Sequence, residues 1–208
     1  MRYVQRHTRW QRFIHGLTAL LMVLMALSGL ALFHPSMFFL SGLFGGGTWN
    51  RILHPWLGLC LVVSFVLLFV RFVPFNFWRR EDTTWIGQIG DVLSKRDERL
   101  PELGQYNPGE KSVFWGMTLF ILLLLLSGLG LWNVYFGGAF AIGTLRTAAV
   151  VHAVVAWLTI LLLIVHIYAA IWVRGTMRGM TEGRVTAGWA WKHHRKWFRD
   201  QAARQTGK

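Results

Sequence analysis

Long apolar runs alternate with basic, aromatic stretches along this chain. Four runs, at about 13–33, 52–73, 113–132 and 148–173, each approach the roughly 20 helical residues needed to cross a hydrocarbon core. Trp10, Trp49, Trp115, Trp132, Tyr135, Tyr168 and Trp172 lie near their ends, where an interfacial aromatic belt belongs. The first run follows four arginines like a secretory signal. It is too long for an h-region and no small-x-small site follows it, so we expect a retained span. Between the second and third runs, WIGQIGDVL mixes apolar and polar positions and predicts a short amphipathic helix lying at the interface. The pattern predicts an all-α membrane protein. It forms a single domain over 1–208, a four-transmembrane-helix bundle with a basic tail at 174–208 and no internal repeat.

Composition narrows the class. Of 208 residues, 54% are hydrophobic, yet the formal charge is +13. Nucleic-acid binders carry such charge on a more polar chain, and 12 Trp with 15 Phe exclude disorder. One cysteine, Cys60, excludes a disulfide framework, a cysteine-based zinc or iron–sulfur site and covalent c-type haem. Sorted by segment, the cations become an orientation signal. The N-terminus carries four, the 71–111 segment seven and the tail nine, whereas the other two loops carry only Arg51 and Arg146. Twenty of 22 thus fall on one side, which the positive-inside rule makes cytoplasmic, with both termini there. The expected location is the bacterial cytoplasmic membrane, with anionic lipid head groups as partners of the basic face.

Ionisable residues inside spans are costly and usually functional. His15, His54, His152 and His166 lie in or at the edge of the runs. The alternating direction of the spans sorts them into an outer pair, His54 and His152, and an inner pair, His15 and His166. Residues 152 and 166 are about 21 Å apart along a helix and leave nearly the same face, since fourteen steps of roughly 100° fall about 40° short of whole turns. Two stacked centres, each an iron held between facing imidazoles, would use this arrangement. A lone intramembrane histidine more often only hydrogen-bonds a neighbouring helix; the paired depths favour ligation. Zinc fits less well, because nothing places four ligands at one level. Gly29, Gly58, Gly128 and Gly130 could clear room for flat macrocycles. His7 and His34 are expected to be solvated or interfacial, and His193 and His194 to contact a partner or lipid. Cys60 is expected to serve packing.

Several segments resemble a known family. RILHPWLG (Arg51–Gly58), the FVRFV run, YNPGEK (Tyr106–Lys111), LLIVHIYAAIWVRGTMRGMTEGRV (Leu162–Val185) and WKHHRKWFRD (Trp191–Asp200) are similar to the gamma subunits of membrane-bound respiratory formate dehydrogenases, which are di-haem cytochrome b subunits. The resemblance implies that His54 and His152 ligate an outer haem b, and His15 and His166 an inner one. It also implies a menaquinone site beside the inner haem, with Asn107 and Gly109 in it and Glu110 next to them. The implied partners are an iron–sulfur beta subunit and a catalytic alpha subunit with a molybdenum or tungsten pterin, with the heterotrimers joined into an oligomer. The chain departs from the family pattern at Gly16, where an aromatic often follows the histidine, and at Glu110, where a glutamine is expected. Glu110 could deliver protons or be a solvated charge; the solvated reading is favoured.

The expected function is therefore electron transfer in anaerobic respiration. Electrons would pass from an iron–sulfur partner across the membrane to a quinone at the cytoplasmic side, menaquinone or another. The chain itself carries no formate chemistry. The rivals are the cytochrome b subunit of a nickel–iron hydrogenase or another respiratory oxidoreductase, a haem-free membrane anchor, and a basic-tailed lipid- or ribosome-binding membrane protein. No nucleic-acid partner is expected.

Overall fold

The computed structural model describes residues 2–94, 96 and 100–206. Lys95, Arg99 and Lys208, counted above among the cations, lie outside them, as do the side chains of 204–206. In order the elements are β1 (Tyr3–Gln5), α1 (Arg9–Phe33), a 3₁₀ segment (Pro35–Phe44), α2 (Gly47–Phe72), α3 (Arg80–Gly87), α4 (Ile89–Leu93), α5 (Pro108–Leu131), α6 (Asn133–Phe136), α7 (Ile142–Trp172), α8 (Thr176–Thr181), β2 (Arg184–Thr186), α9 (Ala187–His193) and α10 (Arg195–Thr206). Among the described residues four helices, α1, α2, α5 and α7, are long and apolar enough to cross a membrane. Only 11–28% of each apolar window is buried within the protein. A water-soluble bundle would cover far more of such surface, so these faces suit a hydrocarbon surround.

All four helices start four to six residues before the apolar runs do. The start of α5 shows how. Asn107 Oδ1 accepts from the Glu110 backbone N–H at 2.9 Å, and Glu110 Oε2 accepts from the Asn107 N–H at 2.8 Å. This reciprocal capping box satisfies two otherwise orphaned donors, and Pro108, which has no N–H to lose, occupies the first helical position. The expected amphipathic helix is present as two pieces, α3 and α4, which part at Gln88.

Among the described residues the architecture is helical apart from one antiparallel ribbon, in which Tyr3, Val4 and Gln5 pair with Thr186, Val185 and Arg184. Gly183 makes the turn into β2 at φ 81°, and its carbonyl accepts from the backbone N–H groups of Arg6 and His7. A side chain there would strain the backbone and put its Cβ 2.7 Å from the His7 carbonyl oxygen.

The chain divides into two compact units. The span unit comprises Phe13–Phe69 and Gly116–Val165, hence most of the four long helices. Its interior is apolar, with Leu21, Met22, Leu61, Phe65, Ile121 and Val155 buried. Within it the Thr18 and Ser64 hydroxyls meet at 2.7 Å, which ties α1 to α2 without burying charge.

The tail unit comprises Met1–Arg12, Val70–Trp115 and His166–Lys208. Its core is Val185, Trp189, Ala190 and Trp197, with Val4 and Phe198 packed on it. The Arg6 guanidinium lies 4.7 Å from the Trp189 ring and 5.6 Å from that of Tyr106, contacts worth up to about 2 kcal/mol each when desolvated. Arg6 also pairs with Glu110 Oε1 at 3.0 Å and donates to the Gln105 carbonyl. A second buried pair joins Lys111 to Asp82 at 2.6 Å, with side chains 4% and 1% exposed. Lys111 Nζ also donates to the Phe77 carbonyl, and Asp82 accepts from the Arg79 N–H.

Two expectations are corrected here. His7 and His194 are not at a surface: they are 2% and 1% exposed. His194 Nδ1 lies 2.9 Å from the Gly104 carbonyl oxygen, and its ring packs on Trp189 and Trp197. Because Trp197 and Phe198 of WKHHRKWFRD pack into the core of a folded unit, His194 between Trp189 and Trp197 faces inward rather than toward a partner or lipid. His34 is exposed, as expected, and accepts from the Ser36 N–H at the start of the 3₁₀ segment.

Candidate functional site

The span unit contains a cavity of about 760 Å³, the size of a site for a substantial cofactor. Its walls include His54, His152, Gly29, Gly128, Trp56 and Trp132. Helix α2 brings His54 and α7 brings His152, so two residues 98 apart in sequence share one chamber. Their ring centroids are 6.3 Å apart and their planes are inclined at 74°.

That spacing tests for a metal. A metal–imidazole bond is about 2 Å. An imidazole nitrogen lies roughly 1.1 Å from its ring centre, given ring bonds of about 1.35 Å. Two imidazoles on opposite sides of one ion therefore hold their centroids about 6 Å apart, close to the distance found. Among the described residues no three His, Cys, Asp or Glu side chains gather to hold a metal. The pair suits an ion that brings its own equatorial nitrogens, as haem iron does.

Two glycines leave space against these rings. A Cβ at Gly29 would come within 3.4 Å of His54 Cε1, and one at Gly128 within 3.2 Å of His152 Cε1. Gly58 faces Met25 and Gly130 approaches Ala148 instead. The other ring nitrogens are engaged. Ser28 Oγ lies 2.7 Å from His54 Nδ1, and Ser127 Oγ lies 3.0 Å from His152 Nδ1. Buried Asn50 donates to the Ser28 carbonyl at 3.0 Å and so fixes the α1 backbone there. Trp56, Trp132 and Tyr135 pack edge to face at 4.8–6.3 Å along the cavity wall.

His15 and His166 are each half-buried, in α1 and α7. They fall in different compact units, His15 in the span unit and His166 in the tail unit. Asn107, Gly109 and Glu110 come together at the start of α5 in the tail unit. There the Asn107 side chain caps the helix, and a Cβ at Gly109 would sit 3.2 Å from Asn107 Oδ1. Glu110 is paired rather than simply solvated. Arg6 holds one of its oxygens, the Asn107 N–H the other, and His194 Nε2 lies 3.9 Å from the latter. Burial holds the His194 imidazole well below the usual histidine range, and the nearby Arg6 charge adds to this. Burial likewise raises the Tyr106 hydroxyl above its ordinary value, against the opposing pull of Arg6.

Ser28, Ser127, Asn50 and Arg6 were not singled out from sequence. The serines did carry a signal, since each immediately precedes one of the two glycines that face the rings.

Comparison with known proteins places the chain in a family. The chain is 40% identical over 197 residues to the formate dehydrogenase cytochrome b556(fdo) subunit of Escherichia coli K12, covering 95% of this chain and 92% of that protein. It is 35% identical over 189 residues to the nitrate-inducible formate dehydrogenase cytochrome b556(Fdn) subunit of the same organism, covering 91% and 87%. It is 32% identical over 196 residues to the formate dehydrogenase cytochrome b556 subunit of Haemophilus influenzae, covering 94% and 82%. With residues 6–183 also matching the family as a whole, the chain belongs to the prokaryotic cytochrome b561 family and is a homologue of the formate dehydrogenase cytochrome b556 subunits.

Proposed function

We propose that this chain is the membrane electron-transfer subunit of a formate dehydrogenase complex. It carries two b-type haems and conveys electrons from an iron–sulfur partner subunit to a quinone, menaquinone or another. The observation that carries this reading is the His54–His152 pair, set at a bis-imidazole spacing in an apolar cavity, with a glycine against each ring. When bound, each haem supplies a one-electron iron couple. Imidazoles are apt ligands inside a span, because they coordinate while neutral and add no buried charge.

The second haem is assigned to His15 and His166 on their depths in the sequence and on the family resemblance. The basic face is assigned to the cytoplasm by the distribution of Lys and Arg, so both termini lie inside. The quinone site is assigned to the Asn107, Gly109 and Glu110 turn. Glu110, held between Arg6 and the Asn107 N–H with His194 near, is the carboxylate through which protons reach the quinone. Formate is oxidised by a separate catalytic subunit with a molybdenum or tungsten pterin, and the heterotrimers associate further.

Replacing His166 with Ala in the purified complex is expected to abolish quinone reduction while the haem at His54 and His152 remains reducible by formate. Retention of full quinone reduction would contradict the assignment. Asn107→Ala is expected to raise the quinone KM or abolish turnover.

A further inference from the structure

The two cavity histidines are served by the same four-residue motif from two different helices. Leu-Ser-Gly-Leu occurs at Leu27–Leu30 in α1 and again at Leu126–Leu129 in α5. In each copy the serine contacts the Nδ1 atom of a histidine on a neighbouring helix, and the glycine lies against Cε1 of that same ring. No repeat was expected from sequence. The structure shows one at the level of use: a hydroxyl followed by a gap, once for His54 and once for His152.

The direction of these hydrogen bonds follows from proton counting. A serine hydroxyl has a single proton to donate. Ser127 Oγ lies 2.6 Å from the Leu123 carbonyl oxygen and 3.3 Å from that of Leu124. Ser28 Oγ lies 3.2 Å from the Met25 carbonyl oxygen. A carbonyl can only accept, so a hydroxyl proton committed to its own helix leaves that Oγ only lone pairs for its histidine. In that arrangement Nδ1 carries the proton of the hydrogen bond to the serine oxygen. The remaining lone pair is on Nε2, the atom a metal requires.

We propose that Ser28 and Ser127 are positioning residues which lock His54 and His152 in the Nδ1-protonated tautomer, fix the 74° angle between their planes and set the electron donation of both rings. This deepens the haem assignment made above and rests on it. A hydrogen bond accepted from Nδ1–H makes the imidazole a stronger donor and favours the oxidised metal. Removing the acceptor therefore shifts the reduction potential of that one haem upward and leaves the other haem in place. The ring, released from its anchor, also turns.

The test uses the purified complex with Ser28→Ala, Ser127→Ala and Ser127→Thr, the last retaining the hydroxyl. Each alanine variant is expected to give a more positive midpoint potential for one haem in a redox titration, with the second haem unmoved. It is also expected to change the low-temperature EPR signal of that ferric haem, which reads the angle between the ligand planes. Ser127→Thr is expected to restore both values toward those of the unmodified protein. Loss of that haem in Ser127→Ala with its return in Ser127→Thr would support the proposal equally. Unchanged potentials and EPR signals in both alanine variants, with two haems present, would overturn it. An unmodified complex with no haem would instead remove the assignment beneath it.

Discussion

The span unit and the tail unit handle buried polarity in opposite ways. The span unit contains two charged residues, Arg51 and Arg146; among the described residues every other charged one falls in the tail unit. Buried polar groups in the span unit are neutral and sparsely served. The side chains of Ser28, Asn50, Ser64, Ser127 and Thr159 each make one to three hydrogen-bond contacts. The tail unit buries ions, Arg6 beside a half-buried Glu110 and Lys111 with Asp82, and backs them with carbonyls and aromatic faces. The contrast separates two tasks. A cavity meant to hold a neutral-ligand cofactor gains from low polarity and small residues. A segment that must fold around connecting loops gains specificity from pairs that tolerate one geometry.

The sharpest way to break the comparison is to fill the gap in the span unit. Gly128→Leu would drive a side chain into the His152 ring, where even a Cβ meets Cε1 at 3.2 Å. We expect at least a tenfold loss of the haem proposed for His54 and His152, measured by haem content, with helicity by circular dichroism retained. Full haem occupancy would show that the cavity needs no such clearance.

Next in size is a change in the tail unit. Asp82→Ala leaves Lys111 buried without its partner, which costs about 3–5 kcal/mol. Thermal unfolding followed by tryptophan fluorescence should shift well downward, and the Asp82→Ala, Lys111→Met double variant should recover most of the loss. A single variant with unchanged unfolding would mean that the pair is dispensable.

A smaller effect follows from pH. The folded-state pKa of His194 lies well below its ordinary 6.5. Above that value both folded and unfolded states are neutral there, and the stabilising contribution is fully present. Below it the unfolded imidazole binds a proton that the folded one refuses, so stability falls by up to about 1.4 kcal/mol per pH unit until the folded group titrates. Amide exchange in α9 and α10 should therefore report lower stability at pH 5.5 than at 7.5, while the buried amides of α2 stay level. Equal protection at both pH values would contradict this.

The smallest effect is expected at Lys196→Ala, which removes an exposed pair with Glu81 at 2.8 Å and should change stability by no more than about 0.5 kcal/mol.

The two units also differ in how legible they were. Apolar run length located the four long helices, and the alternating span direction grouped His54 with His152. The glycine positions fell within reach of reading because a 3.6-residue period keeps Gly29 in phase with the helix face. The hydroxyl partners of the rings were missed, since serine in an apolar helix reads as neutral filler until its neighbour is known. The tail unit was largely hidden. Its order depends on pairing Tyr3–Gln5 with Arg184–Thr186 and on Arg6 reaching Glu110, contacts across more than a hundred residues that no local period encodes. Basic, aromatic WKHHRKWFRD therefore read as a binding tail, although its His194 and Trp197 are buried.

The haem content of the purified complex tests the central claim most directly. A pyridine haemochrome assay should give two b-type haems per chain, and one after His152→Ala, with the loss confined to a single redox component. A chain with no b-type haem, or one that keeps both haems without His152, would contradict the assignment.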